Sequence, residues 1–155
     1  MTAITPFDVV RHVGHDDLPW VDTGTGVDLK VLRIDRLHGT WVVLNRFRPG
    51  VRLQTHRHTG PVNGLTLTGS WRYLEYDFVS TAGSYIHEPA NSTHTLDVPG
   101  DNTQDTDVLF IIEGALLNLD AQGQVESVTD AESILAAYMA LCEMQGHARP
   151  DHIIF

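Results

Sequence analysis

His56 and His58 stand two apart in the segment Gly50-Val51-Arg52-Leu53-Gln54-Thr55-His56-Arg57-His58, and His94 closes a later segment running from Gly83 through Glu88, Pro89 and Asn91. On a β-strand, side chains at i and i+2 leave the same face, so His56 and His58 aim two imidazoles at one point. His94, arriving on another strand, supplies a third. Three neutral imidazoles on a rigid β scaffold bind a divalent metal and leave coordination positions open, which metal-assisted catalysis requires. A His-x-His pair alone is more often two surface histidines on a half-exposed strand. The nine histidines in 155 residues add weight to a metal.

Those histidines need strands to carry them. Short apolar runs punctuated by turn residues predict strands over 27–34, 40–47, 63–68, 71–76, 85–88, 93–98, 108–113 and 115–119. Breaks fall at His38-Gly39, Pro49-Gly50, Gly60-Pro61, Gly69-Ser70, Ala82-Gly83, Pro99-Gly100 and Gly123. Many short strands at this spacing predict an all-β sandwich or barrel. One long helix is expected over 129–146, with Thr129 as cap, Glu132 completing a capping box and Gly146 as stop. Its apolar stripe of Ile134, Tyr138 and Leu141, flanked by Leu135, Met139 and Cys142, should pack on the outside of the barrel. Residues 1–26 read as an N-terminal arm and 27–128 as the barrel, all in one domain. The apolar end, Asp151 to Phe155, is expected to dock on the domain or on a second subunit.

Composition narrows the partners. A formal net charge of -10 argues against nucleic acid and anionic membranes, which need clustered Lys and Arg, and Lys30 is the sole lysine. The single cysteine, Cys142, excludes an intramolecular disulfide and a cysteine-based zinc motif. No apolar run approaches the roughly 20 residues of a membrane span. Met1 to Asp8 lack the basic and apolar regions of a signal peptide, so a cytoplasmic protein is expected.

The spacing around the histidines resembles the cupin superfamily. Its first motif appears as Gly50, His56, His58, then Asn63 where Glu is usual, then Gly69, one residue short of the usual gap. The second appears as Gly83, Pro89, Asn91 in a glycine place, His94, and Val98 in place of the final Asn. Asn91 in that place predicts a left-handed backbone. A narrower resemblance is to the family of 2,4'-dihydroxyacetophenone and acetylacetone-cleaving dioxygenases. It is carried by His56 to Val62, Gly69 to Tyr76, Glu88-Pro89 and His94-Thr95-Leu96, with Asp17 to Trp20 and Gly114 to Leu116 in support. The resemblance implies a jelly-roll β-barrel and a three-histidine non-haem Fe(II) centre on His56, His58 and His94. It also implies cleavage of a carbon–carbon bond beside a carbonyl, using O2. Zinc, nickel, copper and manganese are alternative metals for such a trio.

Asn63 in the carboxylate position would leave the full dipositive charge on the metal and favour an anionic, chelating ketone as substrate. Strand parity from His56, His58 and Asn63 puts Leu65, Leu67, Trp71, Tyr73 and Glu75 on the same inward face. Glu88 is the first candidate for proton acceptor and Glu75 the second. Tyr73 and Tyr85 are candidate hydrogen-bond donors to substrate oxygens. Asn63, Trp71, Arg72 and His87 are candidate substrate contacts. Each has a plainer reading: strand Tyr and Trp as core, Arg72 as solvated, Glu88 as orienter of a metal-bound histidine. A non-catalytic metal-binding cupin acting as a sensor is the alternative function. A sugar isomerase is a third, if Arg46, Arg48 or Arg52 entered the barrel mouth. A homodimer or homotetramer is expected.

Overall fold

Strict alternation in Thr40-Trp41-Val42-Val43-Leu44-Asn45-Arg46-Phe47 sends Trp41, Val43, Asn45 and Phe47 to one face, and Trp41, Val43 and Phe47 are buried. Its partner strand alternates in the same way, burying Val108, Phe110 and Ile112 while Ile111 and Glu113 face out. These two strands pair antiparallel over their whole length, from Thr106 opposite Phe47 to Glu113 opposite Thr40. They form the centre of the molecule.

The structure, a computed structural model, describes residues 9–155. The strands in chain order are β1 (Val21–Asp22), β2 (Val27–Asp35), β3 (Thr40–Phe47), β4 (His56–His58) and β5 (Val62–Thr66). Then come β6 (Ser70–Tyr73), β7 (Ser80–Thr81), β8 (Tyr85–Glu88), β9 (Thr93–His94) and β10 (Leu96–Asp97). The long β11 (Thr106–Glu113) is followed by β12 (Leu116–Leu119), β13 (Val125–Thr129) and the helix α1 (Ala131–Met144). A six-stranded sheet runs β1-β2-β3-β11-β5-β8, a four-stranded sheet β13-β12-β4-β9 and a three-stranded sheet β10-β6-β7. The expected all-β architecture with a C-terminal helix is present. The expected barrel is not closed by hydrogen bonds: the strands divide among three sheets, and their inner faces enclose the core.

Several boundaries differ from expectation. Asp130, not Thr129, caps α1. Its carboxylate accepts from the Ser133 N–H while the Ser133 hydroxyl accepts from the Asp130 N–H, so Ser133 rather than Glu132 completes the box. Thr129 instead ends β13, a strand the apolar pattern does not announce because four of its five residues are exposed. The helix ends at Met144, with Gly146 just beyond in the left-handed region at φ 78°. It buries Ala131, Leu135, Tyr138 and Cys142 against β1 and β2, and the Tyr138 hydroxyl donates to the Pro19 carbonyl at 2.7 Å. The arm is not wholly loop, since β1 lies within it, and its first eight residues fall outside the described part. Near the C-terminus, the Ile34 N–H donates to the Ile154 carbonyl at 2.8 Å and the Ile154 N–H to the Leu32 carbonyl at 3.0 Å, so that end docks on β2 of its own chain.

Candidate metal centre

All three sheets contribute to one buried cluster. β4 delivers His56 and His58 to the inner face, and β9 pairs with it so that His94 lies directly opposite His56. The turn between β8 and β9 is tied to the same strand: the Asn91 N–H donates to the His58 carbonyl at 2.7 Å, and Asn91 takes the expected left-handed backbone at φ 67°. The three imidazoles are buried, and their nearest ring nitrogens all lie within 4.8 Å of one another. His56 Nδ1 lies 3.0 Å from the Gln54 carbonyl, which fixes it as the protonated nitrogen and frees Nε2 for a ligand role. Burial drives the His56 imidazole below its ordinary pKa and pushes that of His58 down to about 4, so both are neutral and metal-competent at neutral pH.

A carboxylate faces the same point. Glu88, the last residue of β8, is 3% exposed. Its Oε2 lies 3.4 Å from His58 Nε2 and 3.3 Å from His94 Nε2. Neither approach has hydrogen-bond direction: Glu88 Oε2, His94 Nε2 and His58 Nδ1 are buried without a partner. Orphaned Glu88 Oε2 and His94 Nε2 converge from two sheets beside His58 Nε2, which is what a metal ion satisfies, and the donor set of imidazoles and carboxylate suits a divalent one. Burial raises the Glu88 carboxyl, but the nearness of His94, the Tyr73 hydroxyl and His58 outweighs it and leaves the group below the usual carboxylate range. Tyr73, on β6, donates its hydroxyl to Glu88 Oε1 and stacks on His94 with ring centroids 4.0 Å apart. Burial, with Glu88 beside it, holds the Tyr73 phenol well above its ordinary pKa, so it remains a donor.

The parity reading from Asn63 is off by one residue. Val62, not Asn63, is the β5 residue that faces the histidines: it is buried and lines a cavity with His56, His58 and Glu88. The Pro61 turn sets this phase. Gly60 passes so close to β11 that a Cβ there would lie 2.3 Å from the Glu113 carbonyl oxygen. A signal was available: with a three-residue gap after His58, the first motif places Val62 at the carboxylate position and closes on Gly69 with its full spacing. Asn63, Tyr85 and His87 instead share the outer face of the six-stranded sheet. There Asn63 Oδ1 accepts from the Tyr85 hydroxyl and lies 3.1 Å from His87 Nδ1. Leu65 and Leu67 are also exposed, and the Gly69 turn resets the phase so that Trp71 and Tyr73 point inward.

The remaining candidates scatter. Trp71 is fully buried, with Nε1–H donated to Thr66 Oγ1 at 2.8 Å, and serves the core. Arg72 is held on the surface by Asp97, which also binds Arg52. Glu75 accepts from the Thr95 N–H at 2.9 Å, beside His94 in sequence but outside the cluster. Arg46 and Arg48 pair with Asp107 and Asp28, so with Arg52 engaged as well, none of the three arginines enters the cavity.

The cavity beside the cluster has a volume of about 230 Å³. Its walls are mainly apolar, with Trp41, Phe47, Phe110 and Leu96 prominent, and Asn45 is the one amide among them. These wall residues were missed as site residues, although the alternation of β3 already places Asn45 on the inward face with Trp41 and Phe47.

Residues 9–117 match the family model described as the ChrR cupin-like domain. The chain belongs to this cupin family. Among solved structures, an RmlC-like cupin protein from Ralstonia eutropha is similar at 29% identity and TM-score 0.87, covering 97% of this cupin and 99% of the other chain. A second Ralstonia eutropha protein, of unknown function with a cupin-like fold, is 30% identical with TM-score 0.79, over 94% and 96% of the two chains. An acetylacetone dioxygenase from Acinetobacter johnsonii shares the fold at 15% identity and TM-score 0.73, over 86% and 92%. A search of functionally curated proteins finds no match. Among the described residues of this cupin, no helix is long and apolar enough to cross a membrane.

Proposed function

We propose that this cupin is a non-haem Fe(II) dioxygenase that cleaves the carbon–carbon bond beside a carbonyl in a small chelating ketone, an α-hydroxyketone or a β-diketone. The observation that carries the reading is the buried cluster of His56, His58 and His94, whose His56 and His58, together with Glu88, line a mainly apolar cavity of about 230 Å³. That volume admits a small ketone, and apolar walls select its carbon body while the polar end meets the metal-facing groups. Likeness of fold to an acetylacetone dioxygenase supports the assignment.

His56, His58 and His94 would hold the iron, which when bound supplies Lewis acidity toward the two substrate oxygens and a centre for O2 chemistry. The chain's own residues do the rest. Glu88 accepts the proton that the ketone loses on becoming an enolate or alkoxide, since it is the one carboxylate facing the cluster among the described residues. Tyr73 stays protonated and orients Glu88 through Oε1. Trp41, Phe47 and Phe110 exclude water and position the carbon chain. Dioxygen is the oxidant, and both its atoms enter the products, so no separate reductant is needed.

The match to the ChrR cupin-like domain model favours one alternative, a metal-binding module that senses rather than catalyses. Oxygen uptake by iron-loaded protein over a panel of α-hydroxyketones and β-diketones decides between them. Substrate-dependent uptake with carboxylate products supports the enzyme. Metal binding without uptake on any member leaves the sensor reading.

A further inference from the structure

We propose that Glu88 is itself a ligand of the metal in the substrate-free protein, filling from the neighbouring strand the position that Val62 leaves vacant on β5. The inference rests on the metal reading above and adds a fourth protein donor to it. Val62 and Glu88 are Cα partners across β5 and β8, and both side chains turn toward the histidines. A valine has no donor atom. The carboxylate directly opposite it in the pair does, and cross-strand partners reach the same point in space.

The geometry points the same way. Donors each about 2.1 Å from one ion stand about 3.0 Å apart at octahedral angles and about 3.4 Å apart at tetrahedral angles. Glu88 Oε2 is 3.4 Å from His58 Nε2 and 3.3 Å from His94 Nε2. These atoms are spaced as ligands of a common ion, and the absence of hydrogen-bond direction between them fits donors aimed at a third body. Tyr73 engages only Oε1, so Oε2 is left directed into the cluster.

Charge supplies the third argument. A buried carboxylate needs a cation or several donors. Among the described residues no Lys or Arg pairs with Glu88, and Arg52 and Arg72 are both committed to Asp97 on the surface. A divalent ion at the centre is the compensating charge. The centre would then carry one negative protein ligand, as it would with a motif carboxylate. Glu88 would hold the ion in the substrate-free protein and serve as the proton acceptor of the proposed reaction once substrate is present.

The test uses Co(II) as the probe on the full chain. A crystal structure of the Co(II)-loaded protein should place Glu88 Oε2 about 2.0–2.3 Å from the metal. Competition with a chromophoric chelator should show Glu88→Gln weakening Co(II) affinity by about 100-fold or more, at the top of or beyond what an outer partner of a ligand contributes. The visible Co(II) spectrum should change with it. Melting of the metal-free variant checks that the isosteric change leaves the fold intact. Co(II) held by three imidazoles with Oε2 outside bonding distance of the ion, including Oε2 hydrogen-bonded only to a water on the ion, overturns the proposal and leaves the metal reading standing. So does an unchanged spectrum with affinity within about 10-fold of the parent. A parent protein that binds no Co(II) at all overturns the metal reading itself.

Discussion

Val62 on β5 and Glu88 on β8 are directly opposed, and the pair presents one apolar and one carboxylate side chain to the histidine cluster. The carboxylate of this centre therefore comes from the second motif segment, six residues before His94, and not from the first. Val62→Glu in the Glu88→Gln background should return at least about 10-fold of the Co(II) affinity lost in the single variant, by the same chelator competition. No recovery in a variant that melts like the parent would argue that the two positions are not equivalent.

His94→Ala should lose the metal and all activity. His94 is 1% exposed and faces His56 across the β4–β9 pair. Its removal deletes one imidazole and the stacking surface of Tyr73. Elemental analysis after purification checks metal content, and oxygen uptake checks activity. Full metal occupancy in the variant would remove His94 from the site.

Asn63→Ala should leave metal content unchanged and turnover within about 3-fold, because Asn63 lies on the outer face with Tyr85 and His87. Val62→Asn, one residue away, places a polar group in the cavity wall and should depress turnover by at least about 10-fold. Parallel assays of the two variants measure the phase of β5 directly, and the reverse ranking would contradict it.

Phe110→Ala enlarges the cavity. Phe110 is buried, lies against Trp71 at 6.1 Å between ring centroids and forms part of the wall. The cost in stability is expected at about 3–5 kcal/mol. The ratio of kcat/KM for a bulkier over a smaller ketone should rise. A fall in that ratio would place the substrate elsewhere.

Gly60→Ala should destabilise the fold by about 2 kcal/mol or more in urea unfolding, because the new methyl meets the Glu113 carbonyl oxygen and the turn must move. Metal affinity should fall with it, since that turn sets the register of β5 against β8. Loss of stability with unchanged affinity would separate the turn from the site.

The convergence of His56 and His58 was legible in the residues themselves. His-x-His on a strand requires both imidazoles to share a face, and the structure keeps that rule. The strands Thr40–Phe47 and Tyr85–Glu88 also lie where the apolar runs place them, because short β-runs with sharp turn residues leave little choice of boundary. The helix stop at Gly146 followed for the same local reason.

Phase and pairing were decided by tertiary structure. Asn63 and Val62 differ by one residue, and a one-residue slip exchanges the two faces of a sheet. The pairing of β5 with β11 and β8, with Gly60 passing close against Glu113, places Val62 on the inner face. The inward face of β13 was silent because its residues are mostly exposed, and Asp130 outcompeted Thr129 as helix cap once Thr129 was committed to that strand. Glu88 illustrates the same division. Its side-chain type marked it as a candidate proton acceptor, whereas its place beside His58 and His94 depends on β8 joining β5 at the edge of the large sheet. Local chemistry named the groups, and long-range strand pairing chose which of them meet.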